Sequence, residues 1–302
     1  MLRSLFSGVS GLRNHQLKMD VIGNNIANVN TAGYKTSRVV FQEMYSQTLR
    51  GASGPTTVTG GTNPQQVGLG VSTAAIDVVH DAGNVQTTDQ PLDFAIEGDG
   101  FFIIKKGDSS YYTRAGNFYL DTNFSMVNAN GLLLMGLGKQ EVDDNPSSVT
   151  YGQVTYTPPD SSLVNADGSY KEGALNSIRI PDTGFYSTFS VDRNGTITAV
   201  EAASSQMVVI GQLAVSTFIN PGGLKRVGNS LYELTNNSGN PRYSKPLEGG
   251  AGELKPGALE MSNVDLSREF TEMIITQRGF QANSRVITVS DTLLEELINL
   301  KR

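Results

Sequence analysis

Apolar and polar positions follow two different rhythms along this chain. Near the N-terminus the apolar side chains Leu5, Val9, Leu12, Met19, Ile22, Ile26 and Val29 recur mostly three or four residues apart. That spacing stacks them on one face of a helix. Gln16 stands in the same row, the run Asn24, Asn25, Asn28, Asn30 weakens the pattern, and Gly33 supplies a stop. The spacing predicts a helix over 2–29. At the other end Phe270, Met273, Gln277, Phe280, Ser284, Ile287, Asp291, Leu294 and Ile298 step strictly by three and four. A second row, Val286, Val289, Leu293, Leu297 and Leu300, lies beside the first. Ser262 followed by Asp265 resembles a capping box, and a helix over about 264–300 would be roughly 55 Å long.

Between the ends the period changes to two. Short β-like runs at 75–79, 94–96, 101–105, 111–114 and 118–120 are punctuated by Asp99-Gly100, Asn130-Gly131, Asp167-Gly168 and Asn194-Gly195. The fold class expected is α+β: long N- and C-terminal helices paired as a coiled-coil module, and a central antiparallel β-rich module, sandwich or barrel-like. The expected divisions are a terminal helical module (1–36 and 263–302), an extended connector (37–70), a β-rich module (71–138 and 184–262), and an insertion or small outer subdomain (139–183). The hinge of the connector is read at Gly51, Gly54, Pro55, Gly60, Gly61 and Pro64, where periodicity is lost.

Composition narrows the chemistry. The 302 residues include 33 glycines but no cysteine, which removes disulfides, thiolate nucleophiles and Cys-ligated zinc. A net charge of -6 argues against nucleic acid as a partner. No run approaches the ~20 apolar residues of a membrane span, and the N-terminus lacks the pattern of a cleaved signal. His15 falls on the polar side of the first helix. His80 stands beside Asp81, a pair that invites an acid–base reading, but no nucleophile motif accompanies it. Asp143 and Asp144 form a carboxylate pair without an aromatic platform for sugar. No catalytic, cofactor or metal site is expected.

The apolar rows then become the informative feature. The C-terminal helix carries a face wider than one shorter partner helix covers, and apolar area left in water costs about 25 cal/mol per Å². Other copies of the same chain would cover it, through contacts that build a helical assembly. A rival from another class is a secreted β-rich adhesin or carbohydrate-binding module, which would stay monomeric.

Three stretches carry a family resemblance. Ser7-Gly8-Val9-Ser10-Gly11-Leu12 with Met19 through Lys35 (MDVIGNNIANVNTAGYK) is similar to the N-terminal signature of bacterial flagellar rod and hook proteins. Leu259 through Leu266 (LEMSNVDL), Glu272-Met273-Ile274 and Gln277 through Ser284 (QRGFQANS) resemble its C-terminal counterpart, and Asp93 through Phe102 and Tyr112 through Phe118 resemble its middle. The resemblance spans all but about 139–183. It implies a non-enzymatic axial flagellar subunit whose terminal helices line a tube, exported by the flagellar export apparatus without a cleaved signal and found outside the cell. The partners implied are other copies of the chain, a hook cap protein, and rod and hook–filament junction proteins. Gly60 through Pro64 with Leu259 through Leu266 is most similar to hook subunits of Gram-positive bacteria. The long stretch at 42–66 is similar to distal rod subunits, the alternative.

Overall fold

The structure, a computed structural model, describes residues 2–57, 60–142, 153–165, 167–180, 185–202 and 205–300. Asp143, Asp144 and Pro146 lie outside them. The chain divides into two compact units. The first comprises 1–29, 36–79 and 264–302, and the second 30–35 and 80–263. The chain therefore passes between them at 29/30, 35/36, 79/80 and 263/264.

In the first unit, helix α1 spans Leu2–Ala27 and helix α2 spans Leu266–Asn299. Asp265 is the residue that caps α2: its carboxylate accepts from the backbone N–H groups of Ser267 and Arg268 at 2.9 and 3.4 Å. A ribbon follows, with strands β1 (Ser37–Glu43), β2 (Ser46–Arg50), β3 (Gln65–Gly68) and β4 (Val71–Val78). β1 pairs antiparallel with β4, and β2 with β3. The stretch 37–70 is thus strand for much of its length, and β4 belongs with the helices, not with the β-rich unit.

Asparagines fasten α1 to this ribbon. Asn14 donates to the Val71 carbonyl at 2.7 Å and accepts from the Thr73 hydroxyl at 2.8 Å. Asn25 exchanges a pair of bonds with the backbone of Ser37 at 2.8 and 3.0 Å. Asn14 and Asn25, the latter one of the asparagines that weaken the helical row, are therefore docking groups, each amide meeting both a donor and an acceptor.

The second unit is antiparallel β structure. Among the described residues one sheet runs through Tyr186–Val191, Thr196–Glu201, Met207–Leu213, Leu133–Leu137, Phe101–Lys106, Ser109–Thr113, Leu231–Glu233 and Lys225–Gly228, with further strands branching from it. The run Phe101-Phe102-Ile103-Ile104 shows how it is filled. Successive side chains of a strand point to opposite faces. Phe102 and Ile104 enter a core with Phe94, Ile96, Phe118 and Met126, while Phe101 and Ile103 enter a second core with Tyr112, Met135 and Tyr232. Both faces are covered, so the strand is apolar throughout. The described part of 139–183 belongs to this unit: Val154, Ile178 and Ile180 lie in the first core and Ala174 and Leu175 in the second.

Candidate functional site

Two features stand out, one in each unit. In the first unit α1 and α2 run antiparallel along a seam of small and polar residues. A Cβ built on Gly11 would lie 2.7 Å from the Asn283 amide, and one on Gly279 would lie 2.8 Å from the His15 ring. Gly8 faces Ile287, and the Lys18 ammonium meets the Glu272 carboxylate at 2.6 Å. Thr276 and Ser290 are buried on α2, each returning its hydroxyl to a carbonyl one turn back at 2.7 Å. Glycine lets the two backbones approach within reach of dispersion contact, so the seam closes without large side chains.

The apolar rows flank this seam. On α1, Ile22 is buried, Leu5, Leu12, Met19, Ile26 and the following Val29 are half-covered, and Val9 is exposed. On α2, Met273, Phe280, Ile287 and Leu294 are half-covered, while Phe270 and Ile298 are exposed. The second row, Val286, Val289, Leu293 and Leu297, is exposed throughout, Val289 by 57% and Leu297 by 51%. Burying one such side chain fully is worth about 1.5–3 kcal/mol, so this open strip forfeits several kcal/mol in a lone chain.

The six glycines and prolines read as a hinge lie elsewhere than between the units. Gly51, Gly54 and Pro55 continue β2, and Gly60, Gly61 and Pro64 lead into β3. A bridge joins the two sides, Ser53 and Thr62 exchanging backbone bonds at 3.1 and 3.0 Å. They form the exposed outer end of a hairpin within the first unit, and the chain passes to the second unit at other points. A hairpin and an irregular linker share glycine and proline, which is why composition does not separate them.

The feature of the second unit is a buried ion cluster that periodicity could not show. Lys35, Arg114 and Glu260 are all at least 98% buried. The Lys35 ammonium meets Glu260 Oε1 at 2.5 Å and the Asp81 carbonyl at 2.7 Å. Glu260 Oε1 also accepts from the Gly83 N–H at 2.9 Å. Arg114 reaches Glu260 Oε2 at 3.3 Å and donates to the Gly98 carbonyl at 2.8 Å, with its guanidinium over the Phe101 ring. Burial pulls the Lys35 ammonium below its ordinary range, and the Glu260 carboxylate opposes that shift. Arg226 donates to the Lys35 carbonyl and lies over the Tyr34 ring.

His80 stands beside this cluster. Its ring meets those of Phe101 and Tyr232, both at 5.5 Å between centroids, and neither ring nitrogen forms a hydrogen bond. Burial, then the charges of Lys35, Arg114 and Arg226, push its pKa down to about 4. The ring is neutral at pH 7, packs among aromatics and forms no hydrogen bond with the neighbouring Asp81. A cavity of about 300 Å³ lined by His80, Asp99, Phe101, Arg114 and Phe218 adjoins it. Among the described residues no three His, Asp or Glu side chains gather as a metal site would require, and no helix is long and apolar enough to cross a membrane.

Lys35, Arg114 and Glu260 come from three of the stretches that carry the family resemblance, and comparison with known proteins finds the same stretches. Residues 5–35 match the family described as flagella basal body rod protein, 95–199 the flagellar hook protein FlgE/F/G D1 domain, and 255–300 the flagellar basal body rod FlgEFG protein C-terminal family. The second match runs through 139–183 as well. Over 303 aligned positions, covering all of both chains, the sequence is 45% identical to the flagellar basal-body rod protein FlgG of Bacillus subtilis. The chain belongs to the flagellar rod and hook protein family. It is also 33% identical, again over all of both chains, to two proteins of Borreliella burgdorferi: the flagellar hook protein FlgE, across 442 aligned positions, and the rod protein FlgG, across 304. Among solved structures, the Helicobacter pylori flagellar hook protein FlgE2 aligns with 58% of this chain and all of its own, at 10% identity and a TM-score of 0.40. By its sequence relatives the chain is a structural component of the flagellar rod or hook.

Proposed function

We propose that this chain is a subunit of the flagellar hook, without catalytic activity, that polymerises through its terminal helices into a tube joining rod to filament and bending as it turns. The observation that carries the choice of hook is the pair of relatives from one organism. Identity of 33% over 442 positions with the Borreliella hook protein represents roughly half again as many matched residues as 33% over 304 with the Borreliella rod protein. The open row Val286, Val289, Leu293 and Leu297 supports polymerisation, because identical copies can cover it. In this reading the chain leaves the cell through the flagellar export apparatus and assembles beneath a hook cap protein. A rod subunit is the second reading, favoured by the 45% identity to the Bacillus protein named FlgG.

Expression in two Borreliella burgdorferi strains, one lacking its hook protein and one lacking its rod protein FlgG, separates the readings. A hook subunit restores hooks in the first strain and nothing in the second. Rescue of the second strain alone would establish the rod.

A further inference from the structure

The four passages of the chain between the two units bring together three segments of the second unit: 30–35, 80–84 and 260–263. Each is bonded to the others. The Gly33 N–H donates to the Glu260 carbonyl at 2.8 Å, and the Met261 N–H to the Asn84 carbonyl at 2.8 Å. The Asn263 amide donates to the Asp81 carbonyl at 3.1 Å. At the centre is the Glu260 carboxylate, which holds 30–35 through Lys35 and 80–84 through the Gly83 N–H. Its second oxygen holds Arg114, the residue that follows the sheet strand Ser109–Thr113. Backbone packing there is as close as glycine allows. A Cβ on Gly83 would lie 2.0 Å from the Met261 carbonyl oxygen, and one on Gly33 would lie 2.5 Å from the Ala115 nitrogen.

Stability alone is a poor explanation for such a cluster. Desolvating the ions costs about as much as their attraction returns, and apolar replacements of similar volume are often equally stable. What the ions add is direction, since each bond admits one partner in one geometry. We propose that the Glu260-centred cluster is a fastening that makes the chain passages move as one element and delivers the load they carry into the large sheet through Arg114. The load-bearing role rests on the tube-forming reading; the fastening itself does not.

The two parts are tested separately. In the soluble full-length chain, Glu260→Gln weakens the central acceptor. Hydrogen exchange at the amides of Gly33, Gly83 and Met261 is expected to quicken together by about tenfold or more, as loss of a charge-assisted bond implies, while the Ile104 amide in the sheet stays protected. Lys35→Met is the second variant: it leaves all three acceptors in the chain, removing only the cation that holds Glu260 Oε1, the acceptor of the Gly83 N–H, and it is expected to release the same three amides. Faster exchange at Gly83 alone would overturn the fastening, because only that amide bonds directly to the altered carboxylate. For tubes assembled from the Lys35→Met chain, the expected result is normal length with reduced bending stiffness. Unaltered stiffness would overturn the load path, and absence of tubes from the unsubstituted chain would overturn the tube reading instead.

Discussion

At the scale of single residues the second unit depends on positions where a small change has no room. Gly33 has φ of +68°, a region that favours glycine, and its missing Cβ is replaced by the backbone of Arg114 and Ala115. Gly33→Ala is expected to cost about 2 kcal/mol or more, read as a lower urea midpoint; an unchanged midpoint would contradict the geometry. His80 gives a pH dependence of definite sign. The unfolded chain binds a proton near the ordinary value of 6.5, and the folded chain only near 4. The contribution of the neutral, buried ring is therefore complete above pH 6.5 and lost as pH falls towards 4. At about 1.4 kcal/mol per unit, up to about 3 kcal/mol is involved. Urea titrations at pH 7 and pH 5 should show this loss, and His80→Phe should flatten that segment of the profile. Gly33 was legible only as a helix stop, and the roles of His80 and Lys35 were not legible in the sequence. His80 has Asp81 as its covalent neighbour but Phe101 and Tyr232 as its spatial ones, and Lys35 meets Glu260 across 225 positions.

At the scale of elements, the long helices and the short strands were readable because both obey a strict period. The helix seam was not. Three- and four-residue spacing gives two neighbouring rows, one of Leu5, Val9 and Leu12 and one of Gly8, Gly11 and His15. Hydrophobicity selects the first, but α2 closes on the second because glycine permits the shorter distance. Gly11→Leu is accordingly expected to part the pair and reduce helical circular dichroism in the 2–27 segment. Lys18→Ala, at a pair partly open to water, is expected to cost less than about 1 kcal/mol. A larger effect of Lys18→Ala than of Gly11→Leu would reverse this assignment. The hairpin β2–β3 was hidden for a related reason: its glycine- and proline-rich outer end has the composition of a linker, and only the Ser53–Thr62 bridge shows that it returns.

At the scale of the molecule, two units with different needs share one chain. The second buries a core on each face of its sheet. The first leaves a strip of α2 open, and in the proposed reading this strip is what other copies of the chain cover. The measurement that tests it most directly is negative-stain electron microscopy of the concentrated full-length chain in precipitating salt. Beside it stands a copy carrying Val286→Ser, Val289→Ser, Leu293→Gln and Leu297→Gln. Curved, polymorphic tubes from the unsubstituted chain, with a dispersed but folded variant, are the predicted result. Tubes from both chains, or a compact monomer from the unsubstituted one, would contradict it.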